Sequence, residues 1–173
     1  WLPVVAPSHL REPAHRAYPK KIEDWDIERI IKDFADAAER MKAGGMDGVE
    51  LEAYGHLIDQ FASPLTNELD APYGGSLENR MKFCFDVFSA IRKRVGEDFI
   101  LGVRYTGDEQ LKRGNGKAEG LEISRLLRDS GLIDYLEHRE DEAENLLYST
   151  GIARLQLLPT GTARETGAEH FSS

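Results

Sequence analysis

The stretch Asp47-Gly-Val-Glu-Leu-Glu-Ala-Tyr-Gly-His56, running on into Leu57-Ile-Asp-Gln-Phe61, decides the fold. An apolar run through Val49 and Leu51 ends abruptly in ionisable and aromatic side chains. A helix-like piece comes next. A buried strand whose last residues turn polar is how α/β proteins present chemistry, because the rigid strand opens at its carboxyl end onto a crevice. Glu52, Tyr54 and His56 are therefore expected to stand at such an end.

Upstream, Ile27, Ile30, Ile31, Phe34, Ala38 and Met41 recur at helical spacing behind Asp26, which is expected to cap the helix. Gly44-Gly45 ends it, and the strand Gly48–Glu52 comes after. Residues 1–25 carry prolines 3, 7, 13 and 19 among His9, Arg11, His15 and Arg16, and read as irregular: a functional loop or a solvated arm.

Downstream, turns run to Gly75. Ser76 and Asn79 mark a second helix, with Leu77, Met81, Cys84, Phe85, Phe88, Ile91 and Val95 on one stripe and Gly96 as its stop. The next strand, Phe99-Ile-Leu-Gly-Val103, is continuously apolar, as strands covered on both faces are, and ends on Arg104. A glycine-containing loop leads to a third helix, Ala118–Asp129, with Leu121, Leu126 and Leu127 inward. Leu132–Leu136 then reads as a third short strand. Glu137–Ser173 opens on a charge run and has little to bury, so a short helix and a loosely held tail are expected.

Strands alternating with amphipathic helices imply an α/β fold with a parallel sheet and right-handed crossovers. An open doubly wound sheet and part of a (β/α)8 barrel both satisfy this. No Gly-x-Gly-x-x-Gly comes after a strand, so the dinucleotide fingerprint is missing. A full barrel takes roughly 250 residues, so a barrel here would be partial.

At 173 residues with a net charge of −9, the chain suits one soluble domain and argues against nucleic acid, which demands clustered Lys and Arg. Arg92-Lys93-Arg94 falls at a helix end, where cations suit the dipole. No run has the length to span a bilayer. The opening Trp1-Leu-Pro-Val-Val-Ala-Pro7 lacks the basic segment of a signal peptide and an initiator Met, and reads as the middle of something. One cysteine, Cys84, forms no internal disulfide and alone holds neither zinc nor an iron–sulfur cluster. It reads as a core residue in a reducing, cytoplasmic setting.

Each candidate has a chemical and a structural reading. His56 is a proton donor or acceptor near neutral pH, or a loop histidine satisfied structurally. Tyr54 is a hydrogen-bond donor or ligand platform, or an interfacial aromatic. Glu52 is a base or a ligand for a cationic group, or a rim salt bridge. Arg104 suits an anionic or electron-rich ligand edge, or partners a rim carboxylate such as Glu52. Asp108 and Glu109 read as a solvated loop.

The ordered set Gly48-Val-Glu50, Leu57-Ile-Asp-Gln-Phe61, Ser63-Pro64, Thr66-Asn67, Tyr73-Gly-Gly-Ser-Leu-Glu-Asn-Arg80 and Gly102-Val-Arg104 resembles the old yellow enzyme family. Its members are FMN-dependent oxidoreductases on a (β/α)8 barrel and include 2,4-dienoyl-CoA reductase and trimethylamine dehydrogenase. The opening Trp-Leu-Pro-Val-Val and Glu-Ala-Tyr-Gly-His look most like the branch that demethylates N-methylated amines such as dimethylglycine.

The resemblance implies a hydride exchanged with flavin N5, a small organic substrate held after the family's fourth strand, and an arginine ending its fifth at the flavin pyrimidine edge. By motif Arg104 takes the flavin role. Where the family usually reads His-x-x-His or His-x-x-Asn and then Gly-Tyr, Glu52, Tyr54 and His56 stand at the matching places. A carboxylate and an aromatic suit a cationic methylamine by charge and by cation–π attraction. NAD(P)H or an electron-transfer protein is the implied second partner, and self-association a further expectation.

Residues 1–136 then form the partial FMN-dependent barrel domain, covering the family's strands four to six, and 137–173 the divergent tail. FMN is expected for the complete enzyme and no iron–sulfur cluster in this chain. The alternative is a truncated, non-catalytic remnant unable to bind FMN alone.

Overall fold

The computed structural model describes residues 4–11, 18–140 and 154–157. The elements in order are β1 (Val5–Ala6), β2 (Lys20–Lys21), α1 (Asp24–Ala43), β3 (Gly48–Glu52), α2 (Leu57–Ala62), α3 (Leu77–Val95), β4 (Ile100–Asp108), α4 (Lys117–Asp129), β5 (Tyr135–Glu140) and β6 (Arg154–Leu157). One sheet runs β3-β4-β5-β6. Its first three strands are mutually parallel and β6 lies antiparallel on β5. The expected alternation of helices with parallel strands is present.

Strand alternation divides the sheet into two faces. Leu51, Leu101, Val103, Tyr105 and Leu136 point to the helices and join one core with Phe61, Phe83, Val87, Phe88, Ile91, Ile123 and Leu127. Phe61 stacks on Phe83 with ring centroids 4.1 Å apart, and α1 packs over α3. The opposite face is polar. Its aliphatic member Ile100 is 47% exposed within this chain. Gly102 lies on this second face because the Tyr135 ring crosses it: a Cβ there would come within 2.1 Å of the ring.

Several local expectations shift. Helix α1 starts three residues early, with Glu23 as N-cap. Asp26 is its third residue, buried, and accepts from the Glu23 amide at 3.1 Å and from Lys20 Nζ at 2.8 Å. Met41 and Leu121 are about half exposed, and Ile123 takes the inward place on α4. The third strand begins at Tyr135 because Asp134 is committed elsewhere: its carboxylate accepts from the Leu101 amide at 2.7 Å and from Arg92 at 2.5 Å. Leu132–Asp134 is the connector. Glu137–Glu140, read as the start of the tail, continues β5. The short helix expected beyond falls on residues outside those described, apart from the strand β6. The N-terminal segment holds one short parallel pair, Val5–Ala6 against Lys20–Lys21; His15 and Arg16 lie outside the described residues. No helix among the described residues is long and apolar enough to cross a membrane.

Candidate functional site

The polar face has its centre at Arg104. Register aligns Glu52, Arg104 and Glu137 across the three parallel strands, and Glu50 shares their face two residues before Glu52. The guanidinium donates through Nε to Glu137 Oε1 at 3.0 Å and through Nη2 to Glu137 Oε2 at 3.4 Å. Nη2 also lies 2.8 Å from Glu50 Oε1. Nη1 faces Glu52 Oε1 at 3.8 Å, beyond hydrogen-bond distance. Glu50 is itself held by the Tyr135 hydroxyl at 3.0 Å. Burial alone would lower the Arg104 pKa, but the Glu137 hydrogen bond and the Glu50, Glu137 and Glu52 charges raise it above its ordinary value. Burial, then the bond to Glu50, pushes the Tyr135 phenol up to about 12. The arginine is permanently charged and held in a fixed orientation by fork-to-carboxylate pairing.

Glu52 ends β3 with its side chain 55% exposed. The backbone ties the next turn to Arg104, since the Ala53 amide donates to the Arg104 carbonyl at 2.8 Å. Tyr54 is half-buried, and Gly55 turns the chain at φ +64°, the left-handed region that favours glycine. His56 is exposed and takes the N-cap position of α2, without a side-chain capping bond. The structure thus joins Glu52 to Arg104 and puts Tyr54 and His56 on the adjoining turn. Of the two readings of Arg104, the structure shows the pairing with carboxylates: Glu137, Glu50 and Glu52 surround its guanidinium. Glu50, Glu137 and Tyr135 were missed. The i, i+2 repeat of Glu50 and Glu52 on a strand was the available signal for the first of these.

A second polar cluster gathers around Glu109, just past the carboxyl end of β4. Glu109 is 6% exposed rather than solvated. It accepts from Ser63 Oγ at 2.9 Å and from the Asn115 amide at 3.1 Å. Arg80, also 6% exposed, donates to the carbonyls of Ala62 at 2.8 Å and Gly75 at 2.7 Å. Asn115 lies between them, receiving Arg80 Nη2 at 3.4 Å and donating to Ala62 at 3.2 Å. The Tyr73–Arg80 run is therefore a clamp joining the loop after β3 to the loop after β4.

Burial raises the Glu109 pKa, against the Asn115 and Ser63 hydrogen bonds and the Arg80 charge. A carboxyl whose folded pKa lies above its unfolded value stabilises fully below the unfolded value, and that stability is lost as pH rises through the folded one. Glu109→Gln is expected to flatten this loss above roughly pH 4. Urea midpoints of both proteins across that range check it; parallel curves would contradict it.

Residues 3–145 match the profile of the NADH:flavin oxidoreductase / NADH oxidase family. The chain is 84% identical over 136 residues to a probable N-methylproline demethylase of Rhizobium meliloti (strain 1021), covering 79% of this chain and 20% of that protein. It is 49% identical over 135 residues to a multifunctional alkene reductase/demethylase of Caballeronia cordobensis, covering 78% and 19%. Among solved structures, a 2-naphthoyl-CoA reductase complex matches with a TM-score of 0.75 and 32% identity, over 82% of this chain and 22% of that one. The chain spans about a fifth of the length of these proteins. The three parallel strands with their helices are part of a (β/α)8 barrel of the old yellow enzyme type. The chain belongs to the NADH:flavin oxidoreductase / NADH oxidase family.

Proposed function

We propose that this chain supplies one sector of a flavin-dependent oxidoreductase that transfers a hydride between FMN and a small organic substrate, by oxidative demethylation of an N-methylated amine. The observation that carries the reading is the rank Glu52–Arg104–Glu137 aligned across three parallel strands. Of the candidates, Arg104 has the chemistry to meet FMN. Its side chain is 27% exposed, and Glu137 and Glu50 hold Nε and Nη2 while Nη1 lies 3.8 Å from Glu52 Oε1, beyond hydrogen-bond distance. Such a donor fits an electron-rich ring edge. When bound, FMN supplies the ring that accepts the hydride. Glu52, Tyr54 and His56 supply the substrate side: Glu52 attracts a protonated amine, Tyr54 offers an aromatic face, and His56 holds or releases a proton. NAD(P)H or a redox protein is the further electron partner.

Arg104 is one edge contact and does not make a complete flavin site. FMN titrated into the purified 173-residue chain is accordingly expected to leave the flavin free, with fluorescence unquenched; a stoichiometric yellow complex would overturn this. In a full-length flavoprotein carrying this segment, dimethylglycine or N-methylproline added without oxygen is expected to bleach the flavin. If only unsaturated carbonyl compounds exchange electrons with it, the amine reading falls.

A further inference from the structure

Asp59 is a buried carboxylate with no part in the rim site. It is the third residue of the six-residue helix α2 and is 8% exposed. Its Oδ2 accepts two bonds, from the Gly55 amide at 3.0 Å and from Thr106 Oγ1 at 2.6 Å. The first bond reaches back to the turn that carries Tyr54 and His56. The second crosses 47 residues to β4, two positions beyond Arg104. The first bond is close to a capping-box contact but reaches Gly55, one residue before the N-cap His56; the second has no part in capping.

The surroundings strengthen both contacts. Asp59 borders a small cavity otherwise lined by Ala53, Met81, Cys84, Val103 and Tyr105 among other apolar residues, and hydrogen bonds to a charged acceptor gain strength in such low-dielectric surroundings. One oxygen therefore fixes the turn and the strand relative to each other. We infer that Asp59 is the positioning residue that holds the Tyr54–His56 turn against β4, and so sets the substrate side of the site relative to Arg104. The inference rests on the assignment of Glu52, Tyr54 and His56 to the substrate and of Arg104 to the flavin.

Three variants of the 173-residue chain test it. In Asp59→Ala the Gly55 amide loses its acceptor, and its hydrogen exchange is expected to quicken about tenfold or more. Thr106→Val, which leaves the Gly55 bond but removes the tether to β4, is expected to quicken it several-fold and to lower the urea midpoint. Asp59→Asn keeps an oxygen that can accept both bonds but loses the charge that strengthens them, and is expected to restore slow exchange in part. Should Asp59→Ala not fold, the other two carry the test.

Trimethylammonium chloride, titrated against the Tyr54 and His56 resonances, supplies the functional arm. Its affinity is expected to drop about tenfold in Asp59→Ala and to recover in part in Asp59→Asn. Unchanged Gly55 exchange in both Asp59→Ala and Thr106→Val would overturn the inference, as would Asp59→Asn behaving like Asp59→Ala. If the unaltered chain ignores trimethylammonium, the amine assignment fails, while Gly55 exchange still decides the role of Asp59.

Discussion

Arg80→Leu is expected to remove about 3–5 kcal/mol of stability, the scale for taking one partner out of a buried charged network. The leucine fills part of the space but donates nothing. The Ala62 carbonyl keeps the Asn115 side-chain amide but loses Arg80 Nε, the Gly75 carbonyl loses a 2.7 Å bond, and Asn115 Oδ1 loses its contact. Glu109 also loses the positive charge that favours its ionised form. Against a typical domain stability of about 5–15 kcal/mol, such a loss leaves little margin. Urea unfolding followed by circular dichroism measures it. Arg80→Lys is expected to recover part, since an ammonium cannot span three acceptors as the guanidinium fork does. A loss of about 0.5 kcal/mol or less, the ordinary range for surface substitutions, would mean that the clamp contributes little.

Arg104→Met is expected to slow flavin reduction by about 10²–10³-fold in a full-length flavoprotein carrying this segment, the effect of removing one preorganised charge from the reacting centre. Methionine matches much of the length and loses the charge. Glu50, Glu52 and Glu137 would then face one another around an empty position, and the protein would have to protonate one or spread them apart. Arg104→Lys separates charge from geometry: it restores the positive charge without bidentate pairing to Glu137, and partial recovery is expected. Stopped-flow bleaching with excess amine reads both variants. Rates within about threefold of the unaltered protein would exclude Arg104 from the reacting centre and leave it a structural pair.

The fold was legible because it is written in short-range patterns. Val49 and Leu51 before Glu52, the stripe from Leu77 to Val95 and the glycines that stop α1 and α3 are local signals, and β3, α1 and α3 appear close to where their patterns put them. Of the expected strand ends, Glu52 does end β3, but Arg104 stands in the middle of β4, which continues to Asp108 because Tyr105 and Thr106 still pair with β5. Glu109 was not legible. A glutamate in a glycine-containing loop has no period to betray burial, and its partner Ser63 is 46 residues away. Leu121 misled because a four-turn helix offers several leucines and only packing selects Ile123. Glu137 was hidden by a strand that starts three residues later than its apolar residues suggest, a delay caused by Asp134 turning back to Leu101. The polar face of the sheet, which concerns function most, is the part that depends on pairing among distant strands.

The Arg80 clamp also has a consequence for the order in which the chain is made. Two of its acceptors, Ala62 and Gly75, are synthesised before Arg80, but Asn115 comes 35 residues later. At 5–20 residues per second that gap is roughly 2–7 s. Throughout it the guanidinium has two of its three acceptors, and helix α3 has no completed β4 to lie on. A nascent chain halted between Val95 and Asn115 should therefore be protease-sensitive along α3, and should become resistant in one step once Asn115 has emerged. The family's most recognisable stretch would then act as a checkpoint in biosynthesis, closed by a residue outside it.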